Sequence, residues 1–153
     1  MNAVLPEIRI LGSNDRASLE RVEAGVFDGQ IDPPLSAEFL ADPRHLMAVA
    51  VVDGKVVGMA SAVHYVHPDK PSSLWVNKVG VAPVYRSQGI GRKLIEALFA
   101  RGTALGCNDA WLDTERSNIP ARRLFGVMGG VEALDPVVRV SFRLQTERFS
   151  GSK

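Results

Sequence analysis

The feature that most constrains this chain is an abrupt change of hydrophobic period in the middle of it. Leu74 to Val81 reads as a strand and is stopped by Pro83. The segment Arg86-Ser87-Gln88-Gly89-Ile90-Gly91 follows. From about Gly89 to Leu105, Ile90, Leu94, Leu98 and Leu105 recur at helical spacing. A strand that turns through two glycines into a long amphipathic helix belongs to a sheet with helices packed on it. The turn itself favours an anion. The first turn of a helix carries four unpaired N–H groups and the positive end of the helix dipole. Glycines at 89 and 91 remove the side chains that would keep an anion away from those groups, and Arg86 and Arg92 add charge at the same end.

The remaining elements are expected around this centre. Glu7 to Leu11 alternates weakly, as a first strand. Asn14 or Asp15 is placed to cap a helix to about Gly25, with Leu19, Val22 and Val26 on one face. Phe27 to Pro34 reads as a turn-rich link, and Ser36 to Ala41 as a short helix ended by Pro43. Leu46 to Val52 is a continuous apolar run suited to a buried strand. Asp53-Gly54 turns it into a second strand, Lys55 to Val66. His67 to Ser73 holds two prolines and reads as a loop. After the central helix come a strand from Asp109 to Thr114 and a helix capped by Ser117 or Asn118, with Pro120 in its first turn. Ala121, Leu124, Phe125 and Met128 form that helix's inner face, and Gly129-Gly130 ends it. Val137 to Leu144 alternates as a last strand. The expectation is one α/β domain over residues 1–145 and a frayed polar tail over 146–153.

Composition narrows the function classes. The chain has 153 residues, 46% apolar and 23% charged, with a formal net charge of +1. That balance, with no lysine-rich run, argues against a nucleic-acid partner. No stretch is long and apolar enough to span a membrane, and Met1 to Ile10 does not resemble a signal peptide. The single cysteine, Cys107, rules out an intrachain disulfide and fits a reducing, cytoplasmic setting. The cradle is not a Walker loop, since no Gly-Lys-Ser/Thr closes it, and it lacks the third glycine of the dinucleotide fingerprint.

Arg-x-x-Gly-x-Gly, set between Val79-Gly80-Val81-Ala82-Pro83 and a long helix, resembles the acetyl-coenzyme A motif of the GNAT acetyltransferase superfamily. Asn118, Ala121 and Leu124-Phe125 before Gly129-Gly130 are similar to the last core helix of that family. The resemblance covers roughly Leu46 to Gly130. Within the family, His64-Tyr65 to Ile95 looks most like small aminoglycoside N-acetyltransferases. The resemblance implies a central mixed, mostly antiparallel, splayed sheet flanked by helices, with acetyl-CoA as cosubstrate and no metal. It implies that the backbone of Val79 and Val81 pairs with the pantetheine arm. Arg86, Gln88, Gly89, Ile90, Gly91 and Arg92 would surround the pyrophosphate, and Asn118 would contact the cosubstrate near its thiol end. The Val79 N–H would serve as oxyanion donor.

Two positions depart from the family pattern. Lys78 stands where the aminoglycoside-type relatives carry an acid, and a charged lysine has no lone pair with which to accept a proton. Phe125 stands where a tyrosine usually protonates the departing thiolate. The candidates for these roles are His64 and Glu115 as base and Tyr65 as acid, each with an ordinary structural role as its alternative. His64, His67 and Asp69 lack the further ligand a metal site needs. Asp28, Asp32, Glu38 and Asp42 would attract a cationic acceptor, or simply serve as solvated end charges. Trp75 and Trp111 are expected in the core, and Cys107 as a small buried residue. The expected activity is acetyl transfer to a primary amine of a small molecule, such as an aminoglycoside or polyamine-like acceptor. The alternatives are an acetyl-CoA-binding protein with weak or no transfer, and a protein or peptide N-acetyltransferase. The sequence leaves the oligomeric state open, a homodimer included.

Overall fold

The computed structural model describes residues 5–145, so the tail expected over 146–153 lies outside the described residues. Its centre is a five-stranded sheet with the strands side by side in chain order: β1 (Glu7–Ile10), β2 (His45–Val52), β3 (Lys55–His67), β4 (Lys70–Val81) and β5 (Asp109–Trp111). The first four pair antiparallel, and β5 joins β4 in parallel. The helices are α1 (Pro33–Ala41), α2 (Ile90–Ala104) and α3 (Ile119–Val127). This is the mixed, mostly antiparallel sheet with flanking helices that the sequence predicts. No helix among the described residues is long and apolar enough to cross a membrane.

The unbroken apolar run of β2 is explained by burial on both faces. Leu46, Ala48 and Ala50 pack with Val57, Ala60, Leu74 and Val76 beneath Ile90, Leu94 and Leu98 of α2. Met47 and Val49 pack with Val56 and Met59 beneath Leu11, Leu19, Val26 and Leu40 on the other side. The β2–β3 turn uses Asp53 and Gly54, both at positive φ, as a two-residue hairpin turn requires.

Four expectations need correction. The predicted helix over residues 14–25 is only a 3-10 turn, Arg16–Glu20. Asp15 bonds back to the Gly12 N–H instead of capping a helix. Val56 takes the next backbone groups strand-fashion, donating to the Arg21 carbonyl and accepting from the Glu23 N–H. The second helix starts earlier than predicted, because Asp32 caps it and Pro33 and Pro34 occupy the first turn, where their missing N–H groups cost nothing. The predicted loop over 67–73 is largely strand: His67 faces Lys70 across a tight turn, and β4 begins at Lys70. Pro71 is tolerated because the parallel partner joins β4 only from Ser73. The predicted last strand over 137–144 is absent. Residues 137–143 make no helix or strand, and Val138, Val140, Phe142 and Leu144 are 67–91% exposed.

Trp111 also departs from expectation. It stacks on Trp75, ring centroids 5.4 Å apart, but lies largely exposed on β5 and not in the core. Cys107 is half-buried, its sulfur 3.8 Å from the Ser72 hydroxyl.

Gly80 fixes how the N-terminal loop sits on the sheet. A Cβ there would come within 2.1 Å of the Val26 carbonyl oxygen, which is backbone and cannot step aside cheaply. Gly80→Ala is therefore expected to lower unfolding stability by about 1–3 kcal/mol, the range for overpacked sites. Urea denaturation checks this, and an unshifted midpoint would contradict the close approach.

Candidate active site

The cradle is built by the residues that join β4 to α2. A single 3-10 turn, Pro83–Tyr85, follows Ala82. Arg86 then donates from Nε to the Val81 carbonyl at 3.0 Å, which ties its guanidinium to the end of β4. Ser87 has φ +62° and Gly89 has φ +80°. Left-handed residues next to a helix start turn successive N–H groups toward one side, the backbone arrangement that holds anions. Gly89 is the N-cap of α2, and the first helical bond runs from the Lys93 N–H to its carbonyl. The N–H groups of Ile90, Gly91 and Arg92 consequently have no acceptor within the helix. Ile90 buries its side chain in the core and so anchors this end of α2. Nothing lies within 4 Å of a Cβ built on Gly89, so glycine there serves backbone conformation and access. A Cβ on Gly91 would lie 3.9 Å from both Val79 Cγ1 and Leu124 Cδ2, and a longer side chain would grow into the slot between β4 and α3.

That slot exists because β4 and β5 part company. Their ladder pairs Ser73 with Asp109, Leu74 with Ala110 and Trp75 with Trp111, and goes no further. On the other side β4 stays paired to β3 as far as Val81, with a bulge at Asn77, since Ser61 faces Lys78 and Ala62 faces Val76. Ala82 donates to the Val57 carbonyl. By the alternation of an antiparallel ladder, Gly80 also turns its backbone groups toward β3, while Val79 and Val81 turn theirs toward the gap. The bond from Arg86 to the Val81 carbonyl agrees with that direction. Across the gap, Asn118 caps α3, its Oδ1 accepting from the Ala121 N–H at 3.2 Å. The cap uses the amide oxygen and leaves the amide nitrogen to donate elsewhere. A hollow of about 590 Å³ lined by Leu19, Phe27 and Ile31 lies inside the N-terminal loop and not in this slot.

Residues 16–129 match the model of the acetyltransferase (GNAT) family. The chain belongs to that family. It is 31% identical over 150 residues to the N-alpha-acetyltransferase RimI of Mycobacterium tuberculosis, covering 93% of this chain and 86% of that protein. An uncharacterized N-acetyltransferase of the same organism is 27% identical over 106 residues, covering 69% of this chain and 65% of that protein. The match to this second relative thus spans under two thirds of its length. Among solved structures, an aminoglycoside N-acetyltransferase, AAC(6')-Iy, in complex with CoA superposes with a TM-score of 0.75 at 22% identity, covering 93% of this chain and 97% of that one. An aminoglycoside acetyltransferase from an uncultured soil metagenomic sample, in complex with sisomicin, gives 0.75 at 21% identity over 92% and 97%. At such identities these two share the GNAT fold, and nothing finer follows from the superposition.

Within this GNAT fold the predicted site residues fall into two groups. Val79, Val81, Arg86, Gln88, Gly89, Ile90, Gly91 and Arg92 line one continuous stretch from the gap to the helix start. Arg92 shares its charge with Glu96 at 3.1 Å, and the Gln88 amide reaches the Val84 carbonyl at 3.4 Å. Asn118 stands on the facing wall. Glu115 is exposed just before it, its carbonyl accepting from the Asn118 N–H at 2.9 Å. His64 and Tyr65 are not brought to this place. His64 faces Leu74 while Ala60 faces Val79, a separation of roughly 15 Å along the strands at about 3.3 Å per residue. The His64 ring bonds the Ser72 hydroxyl at 3.0 Å, and Tyr65 stacks on His67, which in turn bonds Asp69. Among the described residues no group of three or more His, Cys, Asp or Glu side chains is placed to hold a metal ion.

Sequence reasoning missed the polar group at the bulge. Lys78 is salt-bridged to Asp28. Beside it, the buried Ser61 donates from Oγ to Asn77 Oδ1 at 2.7 Å. Nothing in the sequence signals the first pair, whose members lie 50 residues apart. Of the other acids thought to draw a cationic acceptor, Asp32 is spent as the α1 cap and Asp42 accepts from the Arg44 N–H. Phe125 stands half-buried on the wall of a cavity of about 430 Å³, with Val76, Ile95 and Leu112. A folded Gly89→Val/Gly91→Val variant should bind acetyl-CoA at least about tenfold more weakly by calorimetry, given the strain at Gly89 and the lost access. Unchanged affinity would remove the cradle from the binding site.

Proposed function

We propose that the chain is an acetyl-CoA-dependent N-acetyltransferase acting on a primary amine of a small molecule. The observation that carries this is the one-sided edge of β4 at Val79 and Val81, running directly into the left-handed turn at Ser87 and Gly89. An extended amide-bearing arm can add to such an edge as a strand would, and a pyrophosphate fits the N–H groups of Gln88 to Arg92. The solved relatives with CoA and with sisomicin support the same reading by analogy. The lone cysteine suits a cytoplasmic enzyme.

Acetyl-CoA supplies a thioester carbonyl that an amine can attack directly. The chain's own part is to position it and to stabilise charge. The Val79 N–H points into the gap and donates to the carbonyl oxygen as that oxygen becomes negative, a contribution typically of about 3 kcal/mol. Glu115, exposed just before the α3 cap, is the acid side chain we assign to receive the amine proton, directly or through water. His64 and Tyr65 are the weaker candidates because of their distance along the sheet. Asn118 holds the start of α3 against the thiol end. Phe125 has no proton to give, so the departing thiolate collects one from solvent.

A protein N-terminal acceptor is the second reading, favoured by the 31% identity to an N-alpha-acetyltransferase over nearly the whole chain. The ion pair of Asp28 with Lys78 leaves less net negative charge for a highly cationic aminoglycoside than the sequence suggests. A cofactor-release assay across aminoglycosides, polyamines, amino acids and peptides separates the readings. Turnover with small amines supports the first, turnover with peptides alone supports the second, and tight acetyl-CoA binding with no turnover contradicts both.

Two substitutions test the unusual positions. Phe125→Tyr restores a hydroxyl on the cavity wall and should raise kcat within the roughly 10²–10⁴-fold range of a positioned acid, with little change in acetyl-CoA affinity. Lys78→Glu should preserve or raise transfer to cationic amines, because it replaces a like charge. Loss of activity in a folded, cofactor-binding Lys78→Glu protein would show that the Lys78–Asp28 pair shapes the acceptor site.

A further inference from the structure

The only two tryptophans of the chain stand together and belong to neither core. Leu74 and Val76 turn into the α2 core, so Trp75 between them turns to the opposite face of β4. Leu112 packs on the same core, so its neighbour Trp111 turns the same way as Trp75. The two rings stack, centroids 5.4 Å apart and planes 15° apart. Tyr65 of β3 joins them on this face. It faces Ser73, two residues from Trp75, within the diagonal reach of aromatic side chains. Trp111 is 45% exposed and Tyr65 47%. Aromatic side chains grouped in solvent mark a contact site more often than a free surface.

The same face leads to the transfer point. The N-terminal layer of Leu11, Leu19, Val26 and Leu40 covers Met47, Val49, Val56 and Met59. Val63, Trp75 and Trp111 lie further along the face and outside that cluster. Ser61, between Ala60 and Ala62 of the α2 core, also turns to this face, where it donates to Asn77. Val63 faces Trp75, and Ala60 faces Val79. At about 3.3 Å per residue the tryptophans thus stand roughly 10 Å from the Val79 N–H. Between them lie Ser61 and Asn77, both uncharged, and Lys78, whose charge Asp28 matches.

The charge beside the rings is negative. Asp109 lies two residues before Trp111 on β5, hence on the same face, and it is exposed. Among the described residues it has no ion pair or side-chain hydrogen bond. An ammonium group over an aromatic face is attracted by the ring quadrupole, most strongly for tryptophan, and a neighbouring carboxylate adds to that attraction. An anionic occupant would be repelled by Asp109, and a neutral one would make no use of it. Given acetyl transfer at Val79 as read above, we propose that Trp75, Trp111 and Asp109 hold a second ammonium group of the acceptor, roughly 10 Å from the amine that is acetylated. The acceptor is then an extended, linear di- or polyamine.

Tryptophan fluorescence reads this site alone, because the chain has no third tryptophan. The full-length protein, without acetyl-CoA, is titrated with tetramethylammonium, which has no amine to acetylate, and separately with tert-butanol, an uncharged group of similar size. The cation should give a saturable change and the alcohol none. Asp109→Lys keeps both rings and should weaken the cation response at least about threefold. With acetyl-CoA present, straight-chain diamines should show their lowest KM where the extended nitrogens are roughly 10 Å apart. That KM should lie about fivefold or more below that of the monoamine of equal length, at similar kcat, and Trp111→Ala should remove the difference. No saturable response to the cation, or an equal response to tert-butanol, would overturn the ammonium site. Equal KM for diamines and monoamines at every length would overturn its part in acceptor binding. Cation binding with no turnover of any amine would instead contradict acetyl transfer and leave the ammonium site standing.

Discussion

Beyond Trp75 the backbone of β4 is paired with another strand on one side only. The sheet could have continued its parallel ladder to β5, but the ladder stops at the Trp75–Trp111 pair while β4 runs on to Val81. Val79 and Val81 are left presenting N–H and C=O groups to a gap, and an unmet backbone group in a sheltered place has a free-energy cost until something pairs with it. Much of the site follows from that incompleteness. Arg86 satisfies one carbonyl at the end of the strand, α2 begins where the strand stops, and α3 forms the facing wall with Gly91 holding the slot open.

The two faces of β4 have different tasks. On the α2 face, Leu74, Val76, Val79 and Val81 pack against the core and hold the edge in place. On the other face the Asn77 bulge re-aims the strand, and a small polar group gathers there: Ser61, Asn77, and Lys78 with its partner Asp28. Bulges commonly re-aim side chains next to active sites. Gly80 lets the N-terminal loop lie directly on this face and so brings Asp28 to Lys78. The packing of Val26 over Gly80 and the placing of the Lys78–Asp28 pair are thus one arrangement.

Local signals carried the sequence reading furthest. Asp53-Gly54, the glycines before α2, the Ile90-Leu94-Leu98 stripe and the Asn118 cap act through neighbours in the chain, and each appears where expected. The failures have tertiary causes. Residues 14–25 hold a plausible helix pattern, but Val56 captures the backbone of Arg21 and Glu23 first. The prolines predict a loop over 67–73, yet they are harmless where β4 has an open side. The alternation of Val138 to Leu144 is genuine strand chemistry, yet no strand among the described residues pairs with it. In the site, the cradle was legible because a glycine turn before a helix announces its own geometry. The Lys78–Asp28 pair was not, since only the folded loop brings the two together. His64 looked attractive for its chemistry, and the register of β3 on β4 sets it far from Val79.

The central claim is that the free edge of β4 and the turn before α2 together receive acetyl-CoA. Amide hydrogen exchange with and without acetyl-CoA measures this directly, since it reports on the very N–H groups invoked. The account expects slowed exchange at Val79, Val81 and Gln88 to Gly91 on binding, with the amides around His64 unchanged. Protection confined to other segments, or none at Val79 and Val81 under saturating acetyl-CoA, would contradict it.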